Sequence, residues 1–524
     1  MTAICTLENL SLAFGGTPLF LKINSELPAG ITGLVAPNGG GKSTLLKVLS
    51  SQIPIDNGHF TWKKPNHLVR QFYNLSSFKI VDFLEKGQLW KLFTRIEQGL
   101  ATEEDFAAVA DYWHIPLTWQ RQLESVEITA PLDTPIEHLN GGQRTRLFLS
   151  HAFSKKNHYL LLDEPSNHLD REGREWLRNS LMQHPGGALV ASHDRELLEY
   201  VNQIFELHQQ GLRLYGGGYS SYQHRRNIEQ AALLQKAQDN HKELRQINRI
   251  KQLSIQKFAE RQRQGESKRN SQSKSLLDAQ KNRAGRGFGK VKRRLEQRQL
   301  NLEIRQDALQ ARSRKETYRL KPQKLDIKTD DLRGGRRLHL ENICLPRGSH
   351  KDPISLTLQS GDRWQVTGSN GSGKSTLLKI IAGQLKAKKG VCQHYGNYCY
   401  LDQDLSFLNK SLSALSNLNH LYPGRSEGHW RTMLATMRLR GDLALRPLKD
   451  LSGGEQLKVA LLAATRGNPT TDLLLLDEPD NYLDLDSRRL LEKALVGFPG
   501  TFLLVSHDPI FIEAIGVNGQ YKLE

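Results

Sequence analysis

The chain of 524 residues is predicted to be an α/β protein, two similar phosphate-loop domains joined by a long α-helical hairpin. Three observations predict it. The chain repeats itself, each repeat places short apolar strands directly before glycine-rich or acidic turns, and the stretch between the repeats is proline-free, helix-prone and basic.

The repeat sets the domain plan. APNGGGKSTLLK (36–47) returns as GSNGSGKSTLLK (368–379), an offset of 332 that also relates Gln71 to Gln403. LNGGQ (139–143) returns as LSGGE (451–455) at 312. LLLDEPSNHLD (160–170) and SHD (192–194) return at 314 as LLLDEPDNYLD (474–484) and SHD (506–508). Shared offsets over that many motifs mean duplication, so the domains are expected at 1–222 and 321–524, with a linker at 223–320. The drop from 332 to 312 gives the first copy about 20 more residues between its glutamine and its GG motif. They fall within the acidic stretch 72–138, which holds Trp90, Trp113 and Trp119.

In each copy a strand (ITGLV, DRWQVT) runs into a glycine-rich loop that opens a helix. Backbone N–H groups of Asn38, Gly39, Gly40 and Gly41, and of Asn370, Gly371, Ser372 and Gly373, can then wrap phosphates at a helix N-terminus, where the dipole favours negative charge. Lys42 and Lys374 are expected on the β- and γ-phosphates, Ser43 and Ser375 on Mg²⁺, with Thr44 and Thr376 next along each helix. Ala36, followed by Pro37, stands in the first copy where such loops usually begin with glycine, and its methyl group restricts the backbone. The runs YLLLDE and LLLLDE read as buried parallel strands ending in two acids. Asp163 and Asp477 are placed to hold Mg²⁺, and Glu164 and Glu478, one residue on, to polarise an attacking water. His193 and His507 each follow an apolar strand and are expected near the γ-phosphate.

The linker carries the charge. Between 223 and 320 there are 26 Lys or Arg against 10 Asp or Glu, which accounts for nearly all of the net +18. Charge so concentrated is the footprint of a polyanion-binding element. A helix is predicted from Tyr222 to about Arg263, and a second from near Val291, where Val291, Leu295, Leu302 and Leu309 make an apolar seam. Between them KNRAGRGFGKVKRR (281–294) runs from a polar, glycine-rich tip into the returning helix. Few aromatics accompany these cations, which favours backbone and shape recognition of structured RNA over base stacking.

With a GG motif between phosphate loop and acidic strand, the chain resembles the ATP-binding cassette superfamily. Two cassettes in one chain, joined by a basic helical pair after YGGGYSSYQHRR, are similar to its F subfamily, a resemblance that covers almost the whole chain. It implies a monomer whose two cassettes sandwich two ATPs head to tail, each with Mg²⁺. Site one would pair Lys42, Ser43, Gln71, Asp163, Glu164 and His193 with Ser452, Gly453, Gly454 and Glu455. Site two would pair Lys374, Ser375, Gln403, Asp477, Glu478 and His507 with Asn140, Gly141, Gly142 and Gln143. Phe14 would stack on the first adenine, and Arg347 holds the matching place in copy two. The resemblance further implies a cytoplasmic, ribosome-associated ATPase that modulates translation, or a ribosome-protection protein of antibiotic resistance. Arg283, Arg286, Lys290, Lys292, Arg293 and Arg294 would touch tRNA or rRNA. The extra residues in 72–138 would correspond to the optional arm of that family. Two rivals share the superfamily: the energising subunit of a transporter, and a DNA-repair ATPase.

No stretch approaches the roughly 18 apolar residues of a membrane span, and MTAICTLENL is a poor secretory signal. Cys5, Cys344, Cys392 and Cys399 form no CxxC pair, which fits a reducing compartment.

Overall fold

The computed structural model describes residues 3–14, 17–69, 78–83, 87–167, 169–270, 334–402, 404–437, 439–466, 471–481 and 483–523. The chain divides into a unit of Met1–Tyr222 with Gln323–Glu524 and a unit of Gln223–Pro322.

Both halves of the first unit are built alike. The central sheet of the first half runs Asn66–Val69, Tyr159–Asp163, Ala188–Ala191, Ile31–Val35, Gln203–His208, Gly211–Gly216, parallel up to the last strand. In the second half the order is Tyr398–Leu401, Leu473–Asp477, Thr501–Val505, Arg363–Thr367, Gly519–Lys522, all parallel. The strands that lead into the acids are buried along their whole length, as unbroken runs of leucine require when helices cover both faces. A three-stranded antiparallel sheet centred on Ala3–Phe14, or on Arg336–Cys344, closes one face over the loop-following helix (Lys42–Leu49, Lys374–Ile381).

Parallel order fixes where the chemistry gathers. The strand ending in Ala191, before Ser192-His193-Asp194, lies between the strand ending in Asp163 and the strand that enters the glycine loop. All three therefore deliver their motifs at one carboxyl edge of the sheet. The second half repeats this through Asp477, Val505 and Thr367.

The extra residues of copy one fall in the helical layer. An isolated bridge between Lys79 and Pro135 matches one between Ser413 and Pro447. Inside it copy one has helices Ile80–Phe83, Gly87–Glu97, Glu103–Val109 and Ile115–Glu124, against Ala414–Leu421, Glu427–Thr436 and Asp442–Leu445 in copy two. Trp119 is buried there with its ring edge-on to Trp90, and Trp113 meets Phe93 in the same way. Thr102 and Asp105 form a reciprocal capping box that starts the third of these helices, and Asp105 also pairs with Arg95.

The helix entering the linker runs from Tyr219 to Asn270, longer at both ends than the expected 222–263. At its start Tyr219 and Tyr222 are buried in the core of the first half, and the Tyr222 hydroxyl donates to Glu206 at 3.0 Å. Tertiary packing thus begins the helix one turn earlier than composition suggests. The returning helix and the tip, with Arg283, Arg286, Lys290, Lys292, Arg293 and Arg294, lie outside the described residues, as do Gln71 and Gln403.

Candidate active site

Each phosphate loop ends on a glycine in the left-handed conformation, Gly41 at φ 93° and Gly373 at φ 109°, directly before the lysine that starts the helix. A side chain at either would strain the backbone and collide, with Leu19 at 2.9 Å in the first case and Leu345 at 2.6 Å in the second. Gly368 opens the second loop at φ 153°, where a Cβ would lie 2.6 Å from the Leu523 carbonyl. Ala36 is buried at the matching place without a positive φ, so the methyl group is accommodated by a different local path.

The motifs at the strand ends converge. Ser43 donates to Asp163 at 3.0 Å, and Ser375 to Asp477 at 3.0 Å. The Tyr400 hydroxyl also donates to Asp477, at 3.0 Å. Burial holds both aspartates above their ordinary carboxyl values despite these donors. A hydroxyl and a desolvated carboxylate, oxygen donors only, fit a hard cation such as Mg²⁺, whose charge would offset that burial.

Glu164 and Glu478 both adopt left-handed backbone, φ 48° and 50°. In a side chain other than glycine this costs roughly 1–3 kcal/mol and clusters at working sites. Its effect is to break the strand's alternation just after the aspartate, so that consecutive acids meet neighbouring residues of one loop-helix start, Asp163 with Ser43 and Glu164 with Lys42. The two glutamates are held differently. Glu164 lies 3.4 Å from Lys42 and accepts the His193 backbone N–H at 3.2 Å, and Lys42 also contacts the His193 ring. Glu478 instead accepts from the Asn481 side chain and lies 4.0 Å from His507, while Lys374 donates to the Gly368 and Ser369 carbonyls at 2.8 and 2.9 Å. Burial, with Asp477 and Asp480 adding to it, pushes the Glu478 carboxyl up to about 7, and burial likewise raises Glu164. His507 is driven down to about 4 by burial and by the charges of Lys374 and Arg174. His193 is lowered by burial, Lys42 and Arg488. Both imidazoles are therefore neutral near pH 7.

A cavity of about 730 Å³ joins the first loop to the second half of the chain. Asn38 through Thr44, Glu164 and His193 line one side, and Ser452, Gly453 and Glu455 the other. Gly453 is the first residue of a helix, Gly453–Arg466, so two helix N-termini address the cavity, this one and that of Lys42–Leu49. Their combined dipoles and the Lys42 ammonium suit a polyphosphate. Ser452 and Glu455 form a reciprocal cap at that helix, the Ser452 hydroxyl donating to Glu455 at 2.9 Å. A Cβ on Gly454 would lie 2.4 Å from the Ser487 hydroxyl and 3.0 Å from its Cβ, so Ser487 would have to shift to admit a side chain there.

In the first half the same cap forms from Asn140 and Gln143, with Gly141 opening helix Gly141–Ser154 and Gly142 buried. The groups of the first half whose charges reach Lys374 and His507 are Asp170 and, for His507, Arg174. In the second loop Ser372 is fully buried, Asn370 is exposed and Gly371 is left-handed, while Thr376 lies in the first turn of its helix. Phe14 ends its strand opposite Thr17, and the Arg347 carbonyl packs 3.2 Å from where a Cβ on Gly373 would sit.

Several residues here were not singled out from sequence. Asp484 accepts the Asn38 backbone N–H at 2.9 Å, carrying the second half onto the first loop. Arg195 pairs with Glu492 at 2.6 Å, and Arg489 donates to the Tyr219 hydroxyl at 3.1 Å. Arg174 and Arg488 line the cavity. The offset of 314 relates Asp170 to Asp484 and Arg174 to Arg488, so the repeat held that signal. Tyr400 aligns with Leu68, and nothing in the repeat marks it.

Known proteins bear on this site. The family model described as ABC transporter matches residues 21–167 and 351–481, more than half of the chain. YdiF of Bacillus subtilis (strain 168) is 29% identical over 98% of this chain and 79% of its own length. The ribosome protection protein VmlR of the same strain is 29% identical over 98% of this chain and 85% of its own. Among solved structures, RNase-L Inhibitor shares the fold with a TM-score of 0.56 at 18% identity, over 98% of this chain and 87% of that one. With two such cassettes built around phosphate loops, the chain belongs to the ABC transporter family of ATP-binding cassette proteins, and is a tandem-cassette ATP hydrolase of its F subfamily.

Proposed function

We propose that the chain is a ribosome-associated ATPase in which ATP closes the cassettes and the basic linker contacts tRNA or rRNA. The observation that carries the nucleotide part is the cavity walled by a phosphate loop from one cassette and by Ser452 and Gly453 from the other. Lys42 and the loop N–H groups hold the β- and γ-phosphates, and the N-terminus of Gly453–Arg466 holds the γ-phosphate from the far side. Ser43 with Asp163, and Ser375 with Asp477, would hold Mg²⁺, with Gln71 and Gln403 completing each set. When bound, the ion neutralises charge on the phosphoryl oxygens. Glu164 and Glu478 take the proton of the attacking water, and neutral His193 and His507 steady the γ-phosphate.

The ribosomal part is supported by likeness to VmlR, a ribosome protection protein, over nearly the whole chain, and by the basic excess of residues 223–320. That likeness also favours a second reading, in which the linker protects the ribosome from an antibiotic. Hydrolysis reopens the cassettes and releases the protein. Glu164→Gln with Glu478→Gln leaves ATP binding intact and removes both bases, so this variant should co-sediment with ribosomes in the presence of ATP. If it stays in the supernatant, or follows membranes or DNA instead, the proposal is wrong.

A further inference from the structure

The wall of the first cavity contains a cation that cassette one does not own. Arg488 belongs to helix Leu485–Val496 of cassette two, yet it lines the cavity together with Lys42, Glu164 and His193. Its guanidinium is buried and fixed from behind. It donates to Asp508 at 2.5 Å and to the Asp480 carbonyl at 3.1 Å. Its Nε–H has no hydrogen-bond partner among the described residues, so a donor remains to be satisfied. Lys42, by contrast, is already engaged by Glu164 and His193.

The anchors matter as much as the guanidinium. Asp508 directly follows His507, and Asp480 lies two residues beyond Glu478, so both acids stand on the loops that carry the second site's machinery. Beyond its carbonyl, Asp480 adds a carboxylate charge beside Arg488, where cassette one has the neutral Ser166, and among the described residues the matching Arg174 is held at 3.3 Å by Asp194 and the Leu169 carbonyl. The Arg488 side is thus the more tightly built of the two.

We propose that Arg488 is a positioning residue acting in trans, holding the His193 and Glu164 end of the first ATP site in register through a guanidinium anchored beside the second site. A displacement of the Asp508 or Asp480 loop moves this cation, so the first site senses the state of the second. The inference rests on Glu164 and Glu478 being the two bases.

Single-turnover hydrolysis of labelled ATP by the full chain tests it. In a Glu478→Gln background only site one retains its base, and in a Glu164→Gln background only site two does. Arg488→Gln should lower the rate constant of site one about tenfold or more, with the apparent affinity for ATP changed less than about threefold and site two slowed less than about twofold. A residue that merely braces its own Asp508 predicts the reverse, a loss at site two. Loss confined to site two, or equal at both, overturns the proposal. Arg488→Lys keeps a cation opposite Asp508 and should restore part of the site-one rate. It also serves if Arg488→Gln fails to fold by circular dichroism, and then no loss at site one relative to the unmodified background overturns the idea. Should the double glutamine variant still hydrolyse ATP at the unmodified rate, the assignment of the bases falls first, and this inference with it.

Discussion

Glu478 combines two unfavourable states, a left-handed backbone and a desolvated carboxyl among Asp477 and Asp480, with Lys374 the facing cation. Its value of about 7 against an ordinary 4.5 means that folding favours the protonated form. The stability it contributes is whole below about pH 4.5 and is lost as pH rises through about 7. Glu478→Gln should therefore raise the unfolding midpoint at pH 8, by the equivalent of roughly 1–3 kcal/mol, and leave it nearly unchanged at pH 4.5. An equal shift at both pH values would show that the gain has another source. The residue itself was legible, because an apolar run ending in two acids marks a strand that stops at a site. Its φ was not, since positive φ in a glutamate comes from the loop that holds it, through bonds such as Glu478 N–H to the Val505 carbonyl at 2.9 Å.

At the level of elements, the repeat predicts two equal halves, and most of each is equal. The strand order, the loop helices and the capped GG helices occur twice. Spacing made these readable, because glycine at a left-handed turn and Ser or Asn three residues before Glu or Gln leave fixed marks. The halves differ where they meet. Leu485 opens a helix of cassette two but is buried in the core cluster of cassette one, whereas Arg171, at the same place in copy one, is 84% exposed. No period within one cassette shows which leucine serves the other. Leu485→Ala removes side-chain volume from a closed seam and should cost about 2–4 kcal/mol there. Hydrogen exchange should quicken around Leu169 and Tyr219, which share that cluster, and leave the core around Phe205 protected. Uniform protection after the substitution would mean that Leu485 does not knit the cassettes.

For the whole molecule, charge separates the two jobs. Residues 223–320 hold an excess of 16 positive charges, and the remainder of the chain is close to neutral. The proposed ATP sites would act at short range, where salt has little influence. Linker contacts to phosphates release counterions and must weaken as salt rises. If the six cations Arg283, Arg286, Lys290, Lys292, Arg293 and Arg294 each neutralise one phosphate, the logarithm of affinity falls with slope about 4 to 5 against the logarithm of salt. Between 50 and 200 mM that is a loss of roughly 300- to 1,000-fold. Replacing all six by glutamine should flatten the slope of ribosome binding by about that amount. Without ribosomes, ATP turnover should stay within about twofold, because none of the six belongs to a site built from the loops and strand ends. Filter binding across a salt series, with the ATP-locked double glutamine variant as parent, gives the slope directly. A slope unchanged by the six substitutions would place the ribosomal contacts elsewhere and remove the linker's charge from the account.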